Sequence, residues 1–134
     1  MKLISRNTDY AVRAVCYIAR QKEKVVSVTD LVKALNIPRP FLRKILQILN
    51  RKDILVSYKG KGGGFQLAGS ADKIFLLDLI EAFQGPFSLN ECTFKKGICP
   101  NKKKCFLKKK IGLIENYVFS RLRSITVGSI LKGE

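Results

Sequence analysis

The chain has 134 residues, 46% of them apolar, which is one domain's length with enough apolar side chain for a single core; two independent domains and wholesale disorder are both excluded. Its 26 Lys and Arg against 10 Asp and Glu leave a formal charge of +16, so an anionic partner is expected: nucleic acid first, through counterion release from phosphates, and an acidic membrane surface second. There is no His, which removes the commonest general base and the triads built on it, and no cofactor motif stands in its place, so the chain reads as a non-enzyme.

No run reaches the roughly 18 apolar residues of a membrane span, and Met1 to Tyr10 lacks the apolar core of a signal peptide. A cytoplasmic protein with no membrane partner is the expectation. From Thr8 to about Arg20 the apolar positions Tyr10, Ala11, Ala14, Val15, Ile18 and Ala19 recur at helical spacing, with Asn7 or Thr8 as the cap. Cys16 falls within this helix and reads as a small buried apolar side chain. Ser27-Val28-Thr29-Asp30 resembles a capping box opening a short second helix through Leu31, Val32 and Leu35, which Asn36 and Pro38 stop.

Pro40 suits the first turn of a third helix, whose buried stripe is expected at Phe41, Leu42, Ile45, Ile48 and Leu49 and whose outer face carries Arg43, Lys44, Gln47 and Arg51. Two short helices joined by a tight turn, the second with a basic face, form the helix-turn-helix pattern. Ile54 to Tyr58 and Phe65 to Ala68 then read as two strands around Lys59-Gly60-Lys61-Gly62-Gly63-Gly64. A basic, glycine-rich hairpin tip fits a wing that enters a minor groove or lies along phosphate. It does not fit a nucleotide loop, having no Gly-Lys-Ser/Thr ending and no helix directly after it.

A further helix is expected from Ala71 or Asp72 to Phe83, ended by Gly85-Pro86. Residues 91–110 hold Cys92, Cys99 and Cys105, eight lysines and the single acid Glu91. Leu107, Ile111, Ile114, Val118 and Leu122 then mark a long helix with a seam of the coiled-coil kind. Pairing of two protomers along that seam would set two helix-turn-helix units on the half-sites of a palindromic operator. The fold class is therefore mainly α with a small β-hairpin wing. It divides into a winged helix-turn-helix over 1–84, a cysteine loop over 85–106, and a dimerisation helix with a C-terminal segment over 107–134 that forms one compact unit with the first.

The spacing C-x6-C-x5-C, with Gly97 and Pro100 to turn the loop, leaves several chemistries open. Reduced thiols in a cytosolic chain suit an iron-sulfur cluster with a fourth ligand from elsewhere. Redox-active thiols without metal, a zinc site short of its fourth ligand, and incidental cysteines are the alternatives. The neighbouring lysines favour thiolate in every case.

Thr8-Asp9-Tyr10-Ala11-Val12-Arg13-Ala14, the wing run Lys59 to Phe65, the three-cysteine loop and Ile125-Thr126-Val127-Gly128 together carry a likeness over nearly the full length. The sequence resembles the winged-helix iron-sulfur transcriptional regulator family that includes IscR, NsrR, RirA and CymR. That resemblance implies a homodimeric transcription factor, a repressor by expectation, on double-stranded DNA. It further implies a 2Fe-2S or 4Fe-4S cluster on Cys92, Cys99 and Cys105 that senses iron-sulfur status, redox or nitric oxide. In some relatives an acidic residue of the partner's first helix is the fourth ligand, and the matching position is Asp9; a dipole-favoured carboxylate at a helix N-terminus is its structural alternative. Another relative uses a His where this chain has Lys108, a poor ligand.

The residues expected to face DNA are Ser27, Thr29, Arg39, Pro40, Arg43, Lys44, Gln47, Lys59, Gly60 and Lys61. Two features depart from the family pattern. The first cysteine gap is one residue longer than usual, and the recognition helix opens Arg39-Pro40 where small polar residues are common. The alternative function is a winged-helix regulator that answers to metal-free thiol chemistry or to a small effector.

Overall fold

Ser5, in extended conformation, accepts a hydrogen bond from Thr8 N at 3.2 Å and so caps α1, Arg6–Arg20. The cap lies ahead of the expected Asn7 or Thr8, because Thr8 is already inside the helix and buried. The computed structural model describes residues 2–22, 24–89 and 106–133. After α1 come α2 (Val28–Leu35), α3 (Arg39–Arg51), β1 (Leu55–Tyr58) and β2 (Gly64–Leu67). A 3-10 turn at Ala71–Lys73 leads to α4 (Leu76–Gln84), and α5 (Phe106–Ser124) and α6 (Val127–Lys132) complete the described chain.

The fold is mostly helical with one antiparallel hairpin, in which Leu55 pairs with Leu67 and Tyr58 with Gly64. The main core forms where Ala11, Ala14, Val15 and Ile18 of α1 meet Leu31 of α2, Leu42, Ile45, Leu46 and Leu49 of α3, Leu55 of β1 and Val127 of α6. Small alanines on the inner face of α1 let its neighbours approach closely, and burial of these apolar side chains is the main stabilising term. A second cluster joins Leu76, Leu77 and Ile80 of α4 to Leu122 of α5.

The helix expected from Ala71 to Phe83 is broken. Ser70 caps the short 3-10 turn, and Ile74 and Phe75 then run extended before α4 begins at Leu76. Leu76 N donates to the Ile125 carbonyl at 3.0 Å and Val127 N to the Ile74 carbonyl at 2.8 Å, so the segment before α6 takes the backbone groups a continuous helix would have used. Thr126 and Ser129 form a reciprocal capping box at the start of α6. Gly128 follows inside that first turn, where the Asp72 carboxylate occupies the space of a Cβ.

The seam expected on α5 is only partly free. Leu122 is buried in the second cluster and Val118 packs beside it, while Leu107 and Ile114 remain exposed together with Phe106, Leu113 and Tyr117. The chain after α4 is pinned to α5: the Phe87 and Phe119 rings stand 6.1 Å apart, and Leu89 N donates to Glu115 Oε2 at 3.1 Å.

Candidate nucleic-acid interface

The turn between α2 and α3 consists of Asn36, Ile37 and Pro38. Asn36 adopts the left-handed conformation at φ 55° and donates its N–H back to the Val32 carbonyl at 2.9 Å, ending α2. Ile37 is buried and anchors the turn, and Pro38 and Pro40 fix the backbone entering α3. The result is a helix, α3, whose start is held against α2. Leu42, Ile45, Leu46 and Leu49 face inward, while Pro40, Arg43, Lys44, Gln47 and Arg51 are exposed, and α3 carries no carboxylate.

Arg39 is half-buried, and its Nη2 donates to Thr29 Oγ1 at 3.2 Å across the turn. Thr29 therefore orients Arg39 as well as lying on the same surface. Ser27 is half-buried, and its hydroxyl oxygen accepts from Asp30 N at 3.0 Å, the cap read from the sequence. That engagement leaves its side chain a weaker candidate for phosphate than the neighbouring cations. The apolar stripe of α3 differs from the one expected: Leu46 is fully buried, and Phe41 is 53% exposed beside the basic face. The buried face is centred on Leu42, Ile45, Leu46 and Leu49, which leaves Phe41 at its edge.

The hairpin tip spans Lys59 to Gly63, closed by Gly63 N donating to the Gly60 carbonyl at 3.0 Å, with Lys59, Gly60 and Lys61 exposed. Gly60 and Gly62 have φ of 89° and 79°, which glycine adopts without strain. At Gly64 the need is steric as well, since a Cβ would collide with the Val26 carbonyl. That approach exists because Val26 and Phe65 exchange two backbone hydrogen bonds of 2.8 Å, bracing the hairpin to the body just ahead of α2. On the outer face Tyr58 Oη donates to Gln66 Oε1 at 3.1 Å.

Cys92, Cys99 and Cys105 lie outside the described residues. Asp9 is half-buried in the first turn of α1, and its Oδ2 accepts from Arg13 Nε at 2.9 Å. No group of three or more His, Cys, Asp or Glu is placed to hold a metal among the described residues. Cys16 is half-buried against the main core, as a small apolar side chain would be; burial pushes its thiol pKa up, partly opposed by the charge of Arg20. Lys108 lies exposed in the first turn of α5. No described helix is long and apolar enough to cross a membrane.

The winged helix-turn-helix arrangement recurs in solved structures. CymR, described as the global cysteine regulator of B. subtilis, superposes with a TM-score of 0.79 at 22% identity, covering 100% of this chain and 99% of that one. The IscR of T. potens gives a TM-score of 0.76 at 22% identity, covering 99% and 88%. In sequence, the HTH-type transcriptional regulator NsrR of Oceanobacillus iheyensis is 28% identical over 134 residues, 98% of this chain and 90% of the relative. The family described as Rrf2, iron-dependent transcriptional regulator, matches residues 4–133. A match that takes in the helix-turn-helix, the wing, the cysteine segment and α6 together leaves no part of the architecture unaccounted for, and the chain belongs to the Rrf2 family of transcriptional regulators.

Proposed function

We propose that this regulator binds a palindromic double-stranded DNA site as a homodimer and acts as a repressor whose affinity is set by an iron-sulfur cluster. The observation that carries the DNA reading is the exposed, carboxylate-free cationic face of α3 beside a braced hairpin with a lysine tip. Arg39, Pro40, Arg43, Lys44 and Gln47 enter the major groove, where Arg suits guanine O6 and N7 and Gln suits adenine N6 and N7. Thr29 and Ser27 lie at the phosphates beside them, and Lys59, Gly60 and Lys61 follow the adjacent minor groove or backbone.

The thiolates of Cys92, Cys99 and Cys105 are a suitable donor set for a 2Fe-2S or 4Fe-4S cluster, with the partner's Asp9 as the fourth ligand. The Asp9 carboxylate is half-buried, its side chain 48% exposed, and Arg13 holds it and must release it for that role. Such a cluster supplies sensitivity to iron supply, oxidation and nitric oxide. The protein's own part is transmission: Leu89 and Phe87 tie the end of α4 to Glu115 and Phe119 of α5, so a shift of the segment beyond Leu89 is felt along α5. The two states must then differ in fit to DNA, because only a differential affinity shifts the equilibrium.

The test is to purify the chain without oxygen, measure iron and acid-labile sulfide per chain, and titrate loaded and stripped protein against one selected DNA site at matched salt. Matching iron and sulfide, abolished by Cys92→Ala, Cys99→Ala or Cys105→Ala, together with unequal DNA affinities, is the expected outcome. Equal affinities would sink the cluster-sensing reading. Oxidant-dependent gel mobility with no iron even after reconstitution would favour a thiol switch in its place.

A further inference from the structure

We infer that Phe41 is a base-reading residue that packs its ring against the C5-methyl group of a thymine in each half-site. The inference rests on the reading of α3 as the helix that enters the major groove and adds to it an apolar determinant. Phe41 sits in the first turn of α3, the part of a recognition helix that reaches base edges, and its side chain is 53% exposed. No shortage of core forces it out, since Leu42, Ile45, Leu46 and Leu49 already fill the inner face at 0–2% exposure.

What surrounds the ring identifies its partner. Lys44 is exposed at i+3, the neighbouring position on the helix surface, while Arg43, exposed at i+2, lies on the other side of the basic face. An apolar ring at the edge of a cationic face, with Lys44 beside it, fits a partner that is anionic at its edges and carries an isolated apolar group within. The major groove is such a surface: phosphates line it, and the thymine C5-methyl is its apolar feature. Arg43 and Lys44 would meet phosphate or guanine while Phe41 covers the methyl, so one turn of helix supplies both kinds of contact. A thymine methyl distinguishes T from C at that position without a hydrogen bond.

The experiment uses the full-length wild-type chain to select its site from a random double-stranded pool, then replaces each selected thymine by deoxyuridine, which removes the methyl alone. One thymine per half-site should lose about fourfold in affinity on that replacement, the transfer value of one buried methyl group. Phe41→Ala should bind the T and U versions of that position equally, and Phe41→Leu, which keeps an apolar side chain, should retain part of the preference. The wild-type measurement stands by itself should Phe41→Ala fold poorly. A consensus site indifferent to every T-to-U replacement, or a Phe41→Ala protein that keeps the full preference, overturns the role of Phe41 while leaving the groove assignment of α3 intact. A wild-type selection that yields no preferred sequence overturns both.

Discussion

Gln84 shows how a single polar side chain can fix where two helices meet. Its Oε1 accepts from the Thr8 hydroxyl at 2.7 Å and from Ser5 N at 2.8 Å, and its Nε2 donates to the Leu3 carbonyl at 3.2 Å. Thr8 is fully buried, so its hydroxyl needs that partner. Thr8→Val should cost about 1–2 kcal/mol, by removing the buried hydroxyl that links Ser5 Oγ to Gln84 Oε1, and Gln84→Ala somewhat more. Because the two share one network, urea titration of the double variant should give less than the sum of the single losses; strict additivity would show that no such network operates. Thr8 was legible in the sequence as part of a recognisable run, but Gln84 was not, since a glutamine 76 positions away has no local pattern to announce it. Phe41 departs from the expected stripe because the buried face of α3 is centred on Leu42, Ile45, Leu46 and Leu49, which leaves Phe41 at its edge. Cys16 packs against the core as its position predicts but is half-buried rather than buried. Its raised pKa means that above the ordinary thiol range, about pH 8.5, the unfolded chain releases a proton that the folded chain keeps. The stability contribution is therefore whole at neutral pH and is lost as pH climbs through the folded value, so Cys16→Ala should flatten the alkaline limb of a stability–pH curve relative to wild type.

The hairpin and the broken helix show what element-level patterns can and cannot carry. Both strands were legible to within one residue, because β-branched and aromatic side chains flank a run of glycines and lysines. Each glycine's separate duty was not. Gly60 and Gly62 meet nothing within 4 Å, so Ala at either should cost about 1 kcal/mol through the backbone alone. Gly64→Ala adds a collision with the Val26 carbonyl and should break the pair of hydrogen bonds that braces the wing, at about 2–3 kcal/mol. Thermal unfolding of the three variants orders them directly, and a Gly64→Ala protein as stable as Gly60→Ala would remove the bracing argument. The interruption at Ile74 and Phe75 escaped the sequence because its cause lies fifty residues on, in Ile125 and Val127, whose backbones pair with it. The same contact gives the C-terminal run Thr126-Val127-Gly128 its physical content: a cap, a buried anchor and a gap for Asp72. Of the candidate site, the basic face of α3 and the lysine tip were read correctly as exposed, whereas the coupling of Arg39 to Thr29 depends on a rotamer that no spacing encodes.

At the scale of the whole molecule two forces act in opposite directions on assembly. Each chain carries +16, so two copies repel, yet α5 exposes Phe106, Leu113 and Tyr117 at 66–76% with Leu107 and Ile114 beside them. An exposed apolar stripe of this kind marks an interaction surface, and in the proposed homodimer a second copy would offer the matching stripe that puts two α3 helices on one palindrome. Salt screens the repulsion between protomers, so self-association through α5 should strengthen or hold as salt rises. DNA binding should weaken over the same range, because each phosphate contact contributes roughly −0.9 to the slope of log K against log salt. A nonspecific electrostatic aggregate would instead lose both together. Leu113→Glu with Tyr117→Glu places charge on the stripe without touching either core cluster, so the fold should survive by circular dichroism. Sedimentation is expected to report a dimer for the wild type and a monomer for this variant, and affinity for a two-half-site DNA should fall at least about tenfold with little change for a single half-site. A double variant that still sediments as a dimer would place the protomer contact elsewhere on the molecule.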